Sequence, residues 1–173
     1  MRILRLPVPL ALMAFALLGA TARLGAQAAP AFTLDGNTLV VPTPITFATG
    51  TDQLTSASDS ALAHVAAYLG AKSYISMLRV EGHVTGGGDA EAMQALSERR
   101  ARAVVRALVA RGVDCKRLLP VGFGNTKPVA ANDAPDARAR NSRVMFVNAG
   151  LRGRAIGGMP MDGGGVVAGD PCG

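Results

Sequence analysis

Residues 81–101 read EGHVTGGGDAEAMQALSERRA, in which three glycines separate a strand-like approach from a dense helical run. Met93, Ser97, Ala101, Val104, Val105 and Leu108 fall on one arc at about 100° per residue, so the run predicts an amphipathic helix from about Asp89 to Arg111, stopped by Gly112. Asp89 is placed to cap its first turn. Arg99, Arg102 and Arg106 cluster on the opposite, solvated side, whereas Arg100 lies at the edge of the apolar arc beside Leu96. The loop from His83 to Gly88 carries neither carboxylate nor ammonium.

Working outward, YISMLRVEG (74–82) places Ile75, Met77, Leu78 and Val80 in imperfect alternation, as in a central strand covered on both faces. Glu81 is expected on a solvated side, and His83 as a packed or backbone-bonded imidazole. SASDSALAHVAAYLGA (56–71) repeats apolar residues at helical spacing after a Ser-rich start. ITF (45–47), LLPVGFGNTKP (118–128) and SRVMFVNA (142–149) read as a short strand, a strand or extended segment with turns, and a final strand. The order strand, helix, strand, helix, strand, strand predicts an α/β fold: a two-layer sandwich with two main helices on one mixed sheet, parallel where a helix makes the crossover.

The expected map is a signal peptide at 1–28, a lead-in at 29–39, the folded domain at 40–149 and a Gly-rich tail at 150–173. The tail is too rich in glycine to predict regular structure. At the other end, Arg2 and Arg5 precede the apolar run LALMAFALL, and Ala26-Gln27-Ala28 offers a cleavage site, with Ala22 an earlier alternative. The run is far shorter than the roughly 20 residues a membrane span requires, so export is expected. Of 18 basic residues 15 then remain against 12 acidic ones, and a net of +3 is too mild to point to nucleic acid.

In an oxidising compartment Cys115 and Cys172 are expected to pair rather than stay free. The loop so closed, about 58 residues, contributes roughly 4 kcal/mol on a chain-entropy argument. Zinc is a poor rival, because His64 and His83 lack metal-ligand spacing. No cofactor is indicated. No Ser or Cys has a His and a carboxylate at suggestive positions, and GGG at 86–88 lacks the Lys-Ser/Thr of a phosphate loop, so no enzyme is expected.

ITFATGTDQL (45–54), HVAAYL (64–69), VEGH (80–83), LSERRARAVVRALVARGV (96–113), VGFGNTKPVA (121–130) and NSRVMF (141–146) resemble, in order and spacing, the OmpA C-terminal-like domain. The resemblance implies a periplasmic module that binds peptidoglycan without catalysis, often tethering the outer membrane to the wall. It also implies a ligand: the zwitterionic diaminopimelate of the stem peptide, its ammonium paired with an aspartate and its carboxylate gripped by an arginine, whose planar fork suits that group. Gly82, His83, Gly88, Leu96, Ser97, Arg100 and Ala101 fall on the family's pattern. Val84 replaces its Thr, Thr85 its Asp and Met93 its Asn, and Ser142 stands where a further Arg is usual. The expected peptidoglycan-binding residues are therefore Arg100, Thr85 and, less directly, Asp89 after the flexible glycines. A second expectation keeps the scaffold without the wall ligand and lets the tail dock another envelope or outer-membrane protein.

Overall fold

The computed structural model describes residues 31–86, 88–131, 134–157 and 160–173. The expected signal peptide lies outside them. Among the described residues no helix is long and apolar enough to cross a membrane.

The sheet has seven strands: β1 (Leu34–Asp35), β2 (Thr38–Leu39), β3 (Ile75–Gly82), β4 (Leu118–Gly122), β5 (Val144–Leu151), β6 (Arg154–Ala155) and β7 (Val166–Val167). Its order is β1-β2-β5-β3-β4-β7, with β6 pairing β5. Two main helices, α1 (Asp59–Ala71) and α2 (Ala90–Val109), join a shorter α3 (Pro135–Asn141). The mixed sheet follows from the connections: β3 and β4 are parallel across α2, whereas β5 returns antiparallel to β3.

Strand β3 is the axis of the molecule. Leu78 and Val80 enter a core with Leu62, Val65, Leu69, Val104, Val105 and Leu108 from the helices and Leu118 and Phe146 from neighbouring strands. At its end Gly82 passes against α2 so closely that a Cβ there would lie 2.2 Å from the carbonyl oxygen of Ser97. Only glycine admits that approach. Ser97 is itself buried, donating to the Gln94 carbonyl and accepting the Gly124 amide. The Gly-His and Leu-Ser motifs thus fix where helix meets sheet.

Three local expectations change. ITF is not a sheet strand: Phe47 makes an isolated bridge to Leu54, closing a loop in which Thr46 bonds Ser58 and the Thr46 and Thr55 hydroxyls meet. A third helix, α3, interrupts the two final strands; it opens on Pro135, whose missing N–H is harmless in a first turn. The tail, expected to lack regular structure, supplies β6 and β7. Residues 161–165 cross the sheet face that carries Arg79 and Val121, and β7 then follows β4, with Ala168 N–H donating to the Pro120 carbonyl at 2.9 Å and the Ala168 carbonyl accepting from Arg102 of α2 at 2.7 Å. Glycine is what permits this seat, since a Cβ on Gly165 would stand 2.4 Å from Val121 Cγ1. The Cys115–Cys172 disulfide closes the end of the tail, with Cα atoms 5.2 Å apart.

Candidate functional site

The loop after β3 is stitched on both sides. His83 exchanges backbone hydrogen bonds with Arg143, and Val84 N–H donates to the Gly124 carbonyl. Thr85 N–H donates to Ser142 Oγ at 3.1 Å, and that hydroxyl donates back to the Thr85 carbonyl at 3.1 Å. The serine found in place of a second arginine therefore holds the loop in position.

Between this loop, the start of α2 and residues 49–50 opens a cavity of about 660 Å³. Val84, Ala92, Met93 and Leu96 give it apolar walls, Thr49, Thr85 and Ser142 supply hydroxyls, and among the described residues Arg100 is the one charged lining residue. The Arg100 side chain is half-buried and held without an acid. Its Nε–H donates to the Thr51 carbonyl at 2.8 Å, and the guanidinium carbon stands 4.7 Å from the centroid of the Phe47 ring. Burial pushes its pKa below the ordinary arginine value, Asp52 opposing. It remains a cation at any physiological pH. Among the described residues it forms no ion pair.

The structure thus brings Arg100 and Thr85 to one cavity, while Asp89 stands apart from its lining. The Asp89 carboxylate accepts the Ala92 N–H at 2.6 Å as the cap of α2. Phe47 and Ser142 complete the site but were not singled out for it from the sequence. The short turn over residues 48–51 that carries Arg100's acceptor is brought there by the Phe47–Leu54 bridge, a contact that periodicity does not report.

Glu81 departs from expectation. It is 6% exposed, on the face opposite the main helices, between Arg79 Nε at 2.7 Å and His83 Nε2 at 3.2 Å. Burial alone would raise its carboxyl, but the hydrogen bonds from His83 and Arg79 prevail and hold it below the ordinary value. His83 is packed, as expected: it stacks on Phe123 with ring centroids 5.1 Å apart. Burial lowers its pKa, with the Glu81 hydrogen bond opposing.

A strand, glycine loop and helix thus converge, in a small α/β module, on an open cavity whose guanidinium has no acidic partner among the described residues. The chain belongs to the OmpA family, whose sequence profile matches residues 46–142. It is 32% identical over 111 residues to the probable lipoprotein YiaD of Escherichia coli K12, covering 64% of this chain and 50% of that protein. It is 46% identical over 52 residues to the peptidoglycan-binding protein ArfA of Mycobacterium bovis, covering 30% of this chain and 16% of ArfA. The chain thus spans half or less of these curated relatives. The solved peptidoglycan-associated lipoprotein of Burkholderia pseudomallei superposes with a TM-score of 0.56 at 28% identity, covering 61% of this chain and 88% of that one.

Proposed function

We propose that this is a non-catalytic, exported periplasmic protein that binds the cell wall through the peptidoglycan stem peptide. In this reading Arg100 grips the diaminopimelate carboxylate, and Thr85 stands where an aspartate would meet the ammonium. The observation that carries it is the half-buried Arg100 guanidinium, without an ion pair among the described residues, at the wall of an open cavity in an OmpA-family domain. The name of ArfA and that of the Burkholderia lipoprotein are consistent with a wall ligand. Asp89 reaches such a ligand only by leaving its cap, at a cost of about 1 kcal/mol, so it ranks behind Thr85.

Co-sedimentation with purified sacculi tests the reading. Wild type is expected in the pellet and Arg100→Ala in the supernatant, with circular dichroism confirming that both fold. Equal retention of the two removes Arg100 from the site. Release of muropeptides by the pure protein would contradict the non-catalytic assignment.

A further inference from the structure

The polar inventory of the cavity is unbalanced. Among the described residues it offers one fixed positive charge in Arg100, neutral hydroxyls at Thr49, Thr85 and Ser142, and no lining carboxylate. The Ser142 hydroxyl is committed to the Thr85 main chain, which leaves the Thr49 and Thr85 hydroxyls to turn toward a ligand. The Asp89 carboxylate is held by the Ala92 amide, and that of Asp52, outside the lining, acts on Arg100 itself.

A ligand with both a carboxylate and a free ammonium fits this inventory poorly. Its carboxylate would satisfy Arg100, but the ammonium would leave water for apolar walls beside a guanidinium, with the neutral Thr49 and Thr85 hydroxyls as partners. An uncompensated buried charge is among the costliest groups to place in a protein. Once that nitrogen is acylated the balance reverses. The carboxylate still meets Arg100, the neutral N–H donates to the Thr85 hydroxyl, and the acyl group spreads over Val84, Met93 and Leu96. The cavity volume of about 660 Å³ is ample for a second residue attached through that nitrogen.

We infer that the site selects an N-acylated amino-acid carboxylate, one anion beside a neutral amide, over the free zwitterion. Resting on the wall-binding reading, this directs the protein to stem peptides whose side-chain amine is already acylated, as at a cross-link. A peptide ending in N-acyl-alanine presents the same chemistry from a chain terminus, so the test includes both sources.

The experiment is a titration, followed by amide shifts between Thr85 and Arg100, with three probes. They are a diaminopimelate muropeptide with a free side-chain amine, the same muropeptide N-acetylated at that amine, and N-acetyl-alanyl-alanine. Wild type is expected to bind the acetylated muropeptide at least about ten-fold more tightly than the free amine, about 1.4 kcal/mol. Thr85→Asp, at a half-buried loop position held by its main chain, is expected to reverse that order, while Thr85→Ser keeps it. Tight binding of N-acetyl-alanyl-alanine alone assigns the site to chain termini and overturns the cross-link assignment. Equal or tighter binding of the free amine by wild type overturns the inference and leaves wall binding intact. Silence toward both muropeptides overturns the wall-binding reading itself, whereas their unchanged binding by Arg100→Ala removes Arg100 from the site and overturns the inference with it.

Discussion

At Gly82 the absence of one methyl group sets the distance between sheet and helix. Its would-be Cβ meets Ser97 main chain, which cannot swing aside as a side-chain end could. Gly82→Ala is therefore expected to displace α2 and cost about 1–3 kcal/mol or more, read as a fall in the denaturant midpoint. Gly70 provides the control. It lies within α1 with nothing within 4 Å of its would-be Cβ, so Gly70→Ala is expected to stabilise by about 0.5–1 kcal/mol through helix propensity alone. If both substitutions proved neutral, the close approach at Gly82 would not be a constraint. Displacement of α2 would also shift Arg100, so sacculus binding should weaken with Gly82→Ala and persist with Gly70→Ala.

At the level of elements, what could be read from the sequence was what repeats locally. The arc from Met93 to Leu108 announced α2, and the mixed pattern in β3 announced a strand covered twice. The second cover was not legible, because it arrives from residues 160–168, some 80 positions further along the chain. Glu81 was accordingly read as solvated, although Arg79, Glu81 and His83 form a buried polar row beneath that cover. Helix α3 was missed for another reason: its PDARARN has no apolar period, and only Ala137 and Asn141 turn inward. At the site, family spacing located Arg100 and Thr85, but only the folded chain shows Ser142 clasping the loop. The glycines of the tail looked like a lack of structure because close approach and flexibility use the same residue. Gly165→Ala separates the two meanings. The added methyl would collide with Val121 and the Phe123 ring, so amide exchange at Ala168 is expected to accelerate while that of α1 is unchanged. Unaltered exchange at Ala168 would mean that the segment is not seated by this contact.

For the molecule as a whole, the seated tail links a covalent bond to a buried titration. Cys115 and Cys172 are 57 residues apart, and the tail that leads to Cys172 is held besides by Arg79 donating to the Met161 carbonyl, Lys127 to that of Gly163 and Arg102 to that of Ala168. Reduction is expected to lower the unfolding free energy by about 2–4 kcal/mol, chiefly by freeing the unfolded chain. It should also loosen the cover over Glu81 and Phe123, between which His83 is held. In the oxidised protein the imidazole's folded-state pKa lies below its ordinary 6.5, so its contribution to stability is complete above about pH 6.5 and is lost as pH falls through the folded value. Glu81 has the same sign on a lower range: its contribution is complete above its ordinary 4.5 and is lost as pH falls through its depressed value. With the tail released, water reaches the row, the burial penalty on imidazolium shrinks, and the His83 pKa should climb toward 6.5 while the acid-side loss of stability narrows. Following the His83 ring protons by nuclear magnetic resonance from pH 7.5 to 4.5, with and without a dithiol reductant, checks the sign directly. A downward shift on reduction would contradict the burial argument, and coincident curves would show that the three arginine and lysine contacts hold the tail in place without the cross-link.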